Sequence, residues 1–176
     1  MKKRYLVSIV LSLAIVLNIN GCSNIDKKSD SKVQIEESSS EISSELEKKI
    51  KEDIDLVLSY TKGYDDTMKK HISENNFYVC NYVEFYSLYI GELDLKKYES
   101  NIVSIKKESG KYILCMLLNI EAVAKENHEG HGSDEAIGEN IPIEVIVKEK
   151  NNEFYIESFK EYEDLEKAKE LNEGFK

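Results

Sequence analysis

The spacing of apolar residues changes once along this chain, and that change limits the folds open to it. From Ile42 to Ile90 apolar residues recur every three to four positions, whereas beyond Leu95 they alternate. The first period places side chains on one face of a helix, the second on one face of a strand. Ile42, Leu46, Ile50, Ile54, Val57, Leu58 and Thr61 predict an amphipathic helix of about five turns that stops at Gly63. A shorter helical piece is expected over residues 65–72. The stretch FYVCNYVEFYSLYI, residues 77–90, is as rich in aromatics as a strand, yet Val79, Val83, Tyr86 and Ile90 keep helical spacing over a length that exceeds a usual strand, so a helix is predicted.

Strands are predicted at residues 102–107, 111–123, 143–148 and 154–159, closed into two hairpins by turns at Glu108-Ser109-Gly110 and Lys150-Asn151-Asn152. Pro142 is assigned the first position of the third strand, where its missing N–H does least harm. The second strand carries Tyr112, Leu114, Met116, Leu118 and Ile120 on one face and Ile113, Cys115 and Leu117 on the other. Apolar residues on both faces mark a central strand that is covered on both sides. The acidic stretch 161–175, with Tyr162, Leu165, Ala168 and Leu171 at helical spacing, is the expected cover, and a homodimer is the alternative. Helices followed by antiparallel strands define an α+β domain, with N-terminal helices packed on one face of a curved antiparallel sheet of about four strands and a C-terminal helix.

The order helix, short helix, helix, hairpin, long loop, hairpin, together with EFYIESF at residues 153–159, resembles the nuclear-transport-factor-2-like superfamily over residues 45–162. That resemblance implies a cone-shaped pocket. It implies little about chemistry, because the superfamily includes dehydratases, isomerases, cyclases, conjugation-system assembly proteins and noncatalytic domains.

Ahead of this domain, residues 23–44 hold eight serines, no aromatic residue and only Ile25, Val33, Ile35 and Ile42 as aliphatics. Such a segment buries too little surface to offset its ordering entropy and reads as a tether, with a span on the order of 25 Å for a flexible coil of this length. Before it, Lys2, Lys3 and Arg4 precede an apolar run over residues 5–17 that is interrupted only by Ser8 and Ser12, and Ile19-Asn20-Gly21-Cys22 follows. The layout is that of a secretion signal, too short for a transmembrane helix, which needs about 20 apolar residues. Ile-Asn-Gly-Cys resembles the lipobox of bacterial lipoproteins, with Asn20 where Ala or Ser is usual. The resemblance implies cleavage after Gly21 and a diacylglyceryl group on Cys22, which anchors the chain because two acyl chains hold a membrane where one does not. The expected organisation is therefore a signal peptide at residues 1–21, a lipidated tether at 22–44 and one extracytoplasmic domain at 45–176.

Loss of residues 1–21 would leave 21 lysines against 34 acids, a net charge of −13, and would remove Arg4, the one arginine in the chain. A domain without guanidinium forks or a positive field is not built for phosphate recognition, so nucleic acid is excluded as a partner. The same charge disfavours flat docking on an anionic leaflet. Abundant Lys, Ile, Asn and Tyr with one arginine and one proline is the usage of AT-rich codons, and points to the outer face of the plasma membrane of a low-GC Gram-positive cell.

Chemistry-bearing residues are few. His128 and His131, in a 121–139 stretch with Glu121, Glu126, Asp134, Glu135 and Glu139, offer metal-type ligands, but stable zinc sites need a third or fourth ligand with a fixed surround, and a solvated hairpin loop is the plainer reading. His71 lies close in sequence to Asp65 and Asp66 and could form an acid–base dyad; a surface histidine on a polar helix is favoured. Tyr78, Tyr82, Phe85, Tyr86 and Tyr89 could line a ligand pocket or form core and core edge. Cys80 and Cys115 could pair in an oxidising exterior or remain buried thiols. No nucleophile triad, P-loop or dinucleotide fingerprint occurs, so no cofactor is implied. These features predict a lipid-anchored, noncatalytic domain that binds an envelope protein, peptide or small ligand. The alternatives are a degenerate enzyme of the nuclear-transport-factor-2-like type and an assembly subunit of a secretion or conjugation machine.

Overall fold

The chain divides into two units, Met1–Glu37 and Ser38–Lys176, and a computed structural model describes residues 42–125 and 135–176 of the second. The fold is α+β. Three helices precede a four-stranded antiparallel sheet in the order β1-β2-β3-β4, and a short helix closes the chain. No described helix is long and apolar enough to cross a membrane.

Helix α1 (Ser44–Leu58) starts at Ser43, whose hydroxyl accepts from the Leu46 N–H at 3.2 Å, and Glu45 and Glu47 complement the positive end of its dipole. Its buried face is Ile50, Ile54, Val57 and Leu58. The helix ends five residues before Gly63. The Ser59 hydroxyl donates to the Asp55 carbonyl at 2.6 Å, and the Asn81 amide donates to the carbonyls of Val57 and Tyr60, both at 2.8 Å. Side chains thus take up carbonyls that a further turn would have used. Gly63 instead adopts φ +72° in the loop beyond.

The expected helix over 65–72 is a single 3-10 turn (Met68–Lys70). The Asp65 carboxylate starts it by accepting from the Thr67 and Met68 N–H groups at 2.8 and 3.0 Å. The chain next runs alongside the sheet edge, where the Ile156 N–H donates to the His71 carbonyl at 2.7 Å.

Residues 77–90 form parts of two helices rather than one: α2 (Glu74–Cys80) and α3 (Tyr82–Ile90), divided at Asn81. Asn81 is extended, fully buried, and caps α3 by accepting from the Glu84 N–H at 3.0 Å. One side chain therefore terminates α1 and starts α3. The buried stripe is Phe77, Cys80 and Val83, while Val79, assigned to it from the sequence, is 63% exposed.

The sheet consists of β1 (Leu93–Glu108), β2 (Lys111–Ala124), β3 (Glu135–Lys150) and β4 (Glu153–Glu161). Both expected hairpins are present. Ser109-Gly110 and Asn151-Asn152 all have positive φ, the twist that two-residue hairpin turns need. Strands β1 and β3 extend well beyond their predicted limits because bulges reset the alternation. Register shifts near Lys96 and Val103 return Leu95, Ile102 and Ile105 to one face although their numbers differ in parity. Another shift, between Leu118 and Ile120, places Ala136 and Ile141 on the same side of β3. Pro142 therefore lies inside β3, not at its start. The Tyr162 N–H donates to its carbonyl at 2.9 Å, and an antiparallel residue directs N–H and C=O to the same neighbour. Its missing N–H accordingly faces the side on which β4 ends.

Helices α1 and α2 pack on one face of the sheet over Tyr112, Leu114, Met116, Leu118, Ile143, Val145, Val147, Phe154 and Ile156. The opposite face of β2 is covered by α4 (Leu165–Leu171) and a 3-10 turn (Glu173–Phe175), which enclose Cys115 with Tyr162, Ala168 and Phe175. The chain itself supplies the cover expected of the C-terminal stretch. Leu171 takes no part in it and is 68% exposed.

Candidate functional site

Where α3 crosses the sheet, a second, smaller core forms from Val83, Leu93, Ile120, Ala122 and Ala136. Beside it opens a cleft of about 430 Å³ lined by Tyr82 and Tyr86 of α3, Ile120 of β2, the segment 135–139 and Ile141 of β3, and Glu161 at the end of β4. Asn81 sets the start of α3, so Tyr82 and Tyr86, four residues apart, lie on one side of the helix. The opposite wall includes Gly138, where a Cβ would run into the end of the Ile141 side chain and force it to another rotamer.

The Tyr82 hydroxyl donates to Glu161 Oε2 at 2.6 Å, and its ring meets Phe159 edge-on at 6.3 Å. Burial holds this phenol well above its ordinary pKa, and the bond to Glu161 adds to the effect. Tyr82 therefore remains a protonated donor that fixes one rim carboxylate. Glu135 and Glu139 supply two more carboxylates, and no lysine lines the cleft among the described residues.

A second polar cluster joins α1 to β1. The Asp55 carboxylate accepts from Lys51 Nζ at 2.5 Å, the Tyr98 hydroxyl at 2.7 Å and the Ser100 hydroxyl at 2.5 Å, beside a recess of about 330 Å³. Burial, followed by the Asp55 charge, raises the Tyr98 pKa. Three donors satisfy Asp55 as a half-buried charge at a helix–sheet contact. Sequence reading missed it because residues 93–101 were not assigned to a strand, although Tyr98, Ser100 and Ile102 already alternate.

The predicted site residues are scattered. Tyr82 and Tyr86 line the cleft. Tyr78 packs edge-on against Phe77 at 5.2 Å on the main core, and Phe85 lies outside, 5.4 Å from both Tyr86 and Tyr89. His71 is not a surface residue: it is 5% exposed, and its Nδ1 has no hydrogen-bond partner among the described residues. The 3-10 turn carries it inward as its carbonyl joins β4. Asp65 is occupied by Tyr60 and by backbone N–H groups, while the largely exposed Asp66 pairs with Lys69 at 2.6 Å, so neither hydrogen-bonds to His71 and no dyad is assembled. Cys80 and Cys115 are free thiols in cores on opposite faces of the sheet, and no disulfide links them. His128, His131 and Cys22 lie outside the described residues.

Most of the cleft was unreadable in advance. Segment 135–141 belonged to a predicted loop, and Glu161 is an ordinary strand-end residue; only the aromatic run of α3 marked one wall. Comparison with protein-family models, curated proteins and solved structures finds no match to this chain, so the site's geometry carries the functional argument.

Proposed function

We propose that this chain is a lipoprotein anchored through Cys22 to the outer face of the plasma membrane, and that its domain is a noncatalytic binding module whose ligand sits in the Tyr82–Tyr86 cleft. The cleft itself carries the reading. It combines aromatic and aliphatic walls with a few fixed polar groups, the composition of binding pockets, and its volume falls in their range of roughly 300–1,000 Å³. Its described lining residues include no serine, threonine, cysteine, histidine or lysine, and the one hydroxyl that meets a carboxylate, Tyr82 on Glu161, is held protonated by burial. The resemblance of residues 45–162 to nuclear-transport-factor-2-like domains, a superfamily that includes noncatalytic members, agrees with this reading.

Two measurements test this proposal in growing cells. Cys22→Ser should release the protein from membranes or leave its signal uncleaved; a mature form that still requires detergent for extraction would refute the anchor. Replacement of Tyr86 by the photo-crosslinker p-benzoylphenylalanine should give a discrete adduct on illumination, and the same probe at exposed Glu149 should not. Equal labelling at both positions, or none at 86, would refute the cleft as the binding site.

A further inference from the structure

We infer that the cleft receives a basic side chain, lysine or arginine, from an apolar-flanked segment of a partner polypeptide. This rests on the binding reading above and adds the chemistry of the ligand. Glu135, Glu139 and Glu161 lie around one cavity whose lining, among the described residues, contains no lysine, in a chain of formal net charge −10, so the field inside attracts cations and repels anions. The walls suit a long basic side chain in particular. Ile120 and Ile141 can pack against its methylenes, and Tyr82 and Tyr86 supply aromatic groups beside its charged end.

The surroundings favour a polypeptide over a free amine. Tyr86 belongs both to the cleft and to an external aromatic ridge in which Phe85 stands 5.4 Å from Tyr86 and from Tyr89. Tyr89 is 71% exposed and Leu88 63%, and Ile137 on the facing strand is 61% exposed. An exposed aromatic ridge beside a charged cavity exceeds what a small cation can cover, and it matches the apolar neighbours of a basic residue in a peptide.

The test is calorimetric titration of the full chain with an acetylated, amidated pentapeptide, Leu-Lys-Leu-Lys-Leu, with its Gln-for-Lys and Glu-for-Lys counterparts, and with spermidine. The lysine peptide should bind roughly tenfold or more tightly than the glutamine peptide and lose affinity as salt is raised, and the glutamate peptide should not bind. Glu135→Gln and Glu139→Gln should each weaken the lysine peptide about three- to tenfold, and Tyr86→Leu should do likewise, with far-UV spectra unchanged. The distant Glu149→Gln should have no effect.

Equal binding of lysine and glutamine peptides, both weakened by Tyr86→Leu, would overturn the inferred charge preference and leave the cleft as a binding site. Lysine-peptide binding indifferent to every cleft variant would overturn both readings. Spermidine binding as tightly as the peptide would refute a polypeptide ligand. Absence of binding by any probe, or self-association of the chain abolished by Tyr86→Leu, would also overturn the inference, the latter in favour of a second copy as the occupant.

Discussion

Asn81 joins the end of α1 to the start of α3 through one buried amide, so replacing it tests how the helical layer is held. Its two N–H bonds end on the Val57 and Tyr60 carbonyls at the end of α1, and its Oδ1 caps α3 through the Glu84 N–H. Asn81→Ala removes an N-cap, about 1 kcal/mol, and leaves two carbonyls short of a donor at about 1–3 kcal/mol each when fully buried. Those two losses are smaller in this protein, because the Val57 carbonyl also accepts from the Ser59 and Tyr60 N–H groups and the Tyr60 site is only part-buried. The net expectation is about 2–4 kcal/mol, a large share of the roughly 5–15 kcal/mol that holds an ordinary domain together. Asn81→Ser should recover about 1 kcal/mol of that, because a hydroxyl can cap α3 but cannot reach both carbonyls. Asn81→Asp keeps the cap acceptor yet sets a carboxylate against two carbonyls, so at neutral pH it should be no better than alanine. It should gain stability as pH falls: the buried carboxyl holds its proton more tightly folded than unfolded, and that contribution is complete only below the unfolded-state pKa. Urea unfolding followed by far-UV circular dichroism measures each variant, with an unchanged m-value showing that the midpoint shift reports stability. A cost below about 1 kcal/mol for Asn81→Ala, or neutrality of Asn81→Asp at pH 7, would refute this account of the α1–α3 junction.

The other predictions concern both faces of the sheet and the buried titrating groups. Leu118 is fully buried under the helices, so Leu118→Ala should cost about 2–5 kcal/mol by urea unfolding, and half-buried Leu117→Ala distinctly less. Stability should not depend on protein concentration, since α4 covers the Leu117 face. Gly174→Ala would put a Cβ 2.4 Å from Cys115 Sγ and 2.8 Å from Ser104 Oγ, and should cost about 1–3 kcal/mol; combined with Cys115→Ala the loss should be less than additive, and strict additivity would count against the contact. Burial pushes the Cys80 thiol up to about 12 and raises Cys115 as well, so maleimide should label both only on unfolding, and air oxidation should give no intramolecular mass loss. With folded pKa values above their unfolded ones, Cys80, Tyr82 and Tyr98 should make stability fall as pH rises from about 9 toward 12. Cys80→Ala should flatten the first part of that fall; an unchanged slope would mean the thiol ionises freely.

Local signals decided the class of fold. The change of period after Leu95, the doubly apolar β2 and the turn pairs Ser109-Gly110 and Asn151-Asn152 act within two to four residues, and they reappear as the helical layer, the central strand and the two hairpins. Asn81 followed by Glu84 was also a readable helix start, obscured by the continuous spacing of Val79, Val83 and Tyr86. Strand ends were not readable in this way. Each bulge flips the parity of every residue beyond it, so Leu95, Ile102 and Ile105 share a face that strict alternation divides, and β1 and β3 looked like loops over their outer halves.

Tertiary contacts alone decided the rest. His71 turned inward because its carbonyl completes a bond to Ile156, and the two thiols fell on opposite faces because β2 is covered from both sides. The cleft gathers Tyr82 and Tyr86 with Gly138, Ile141 and Glu161, residues that carry no shared pattern along the chain. Their meeting follows from strand register, the bulge at β3 and the angle at which Asn81 launches α3. Those depend on packing between distant segments, whereas apolar spacing reports only which face of a single element leaves water.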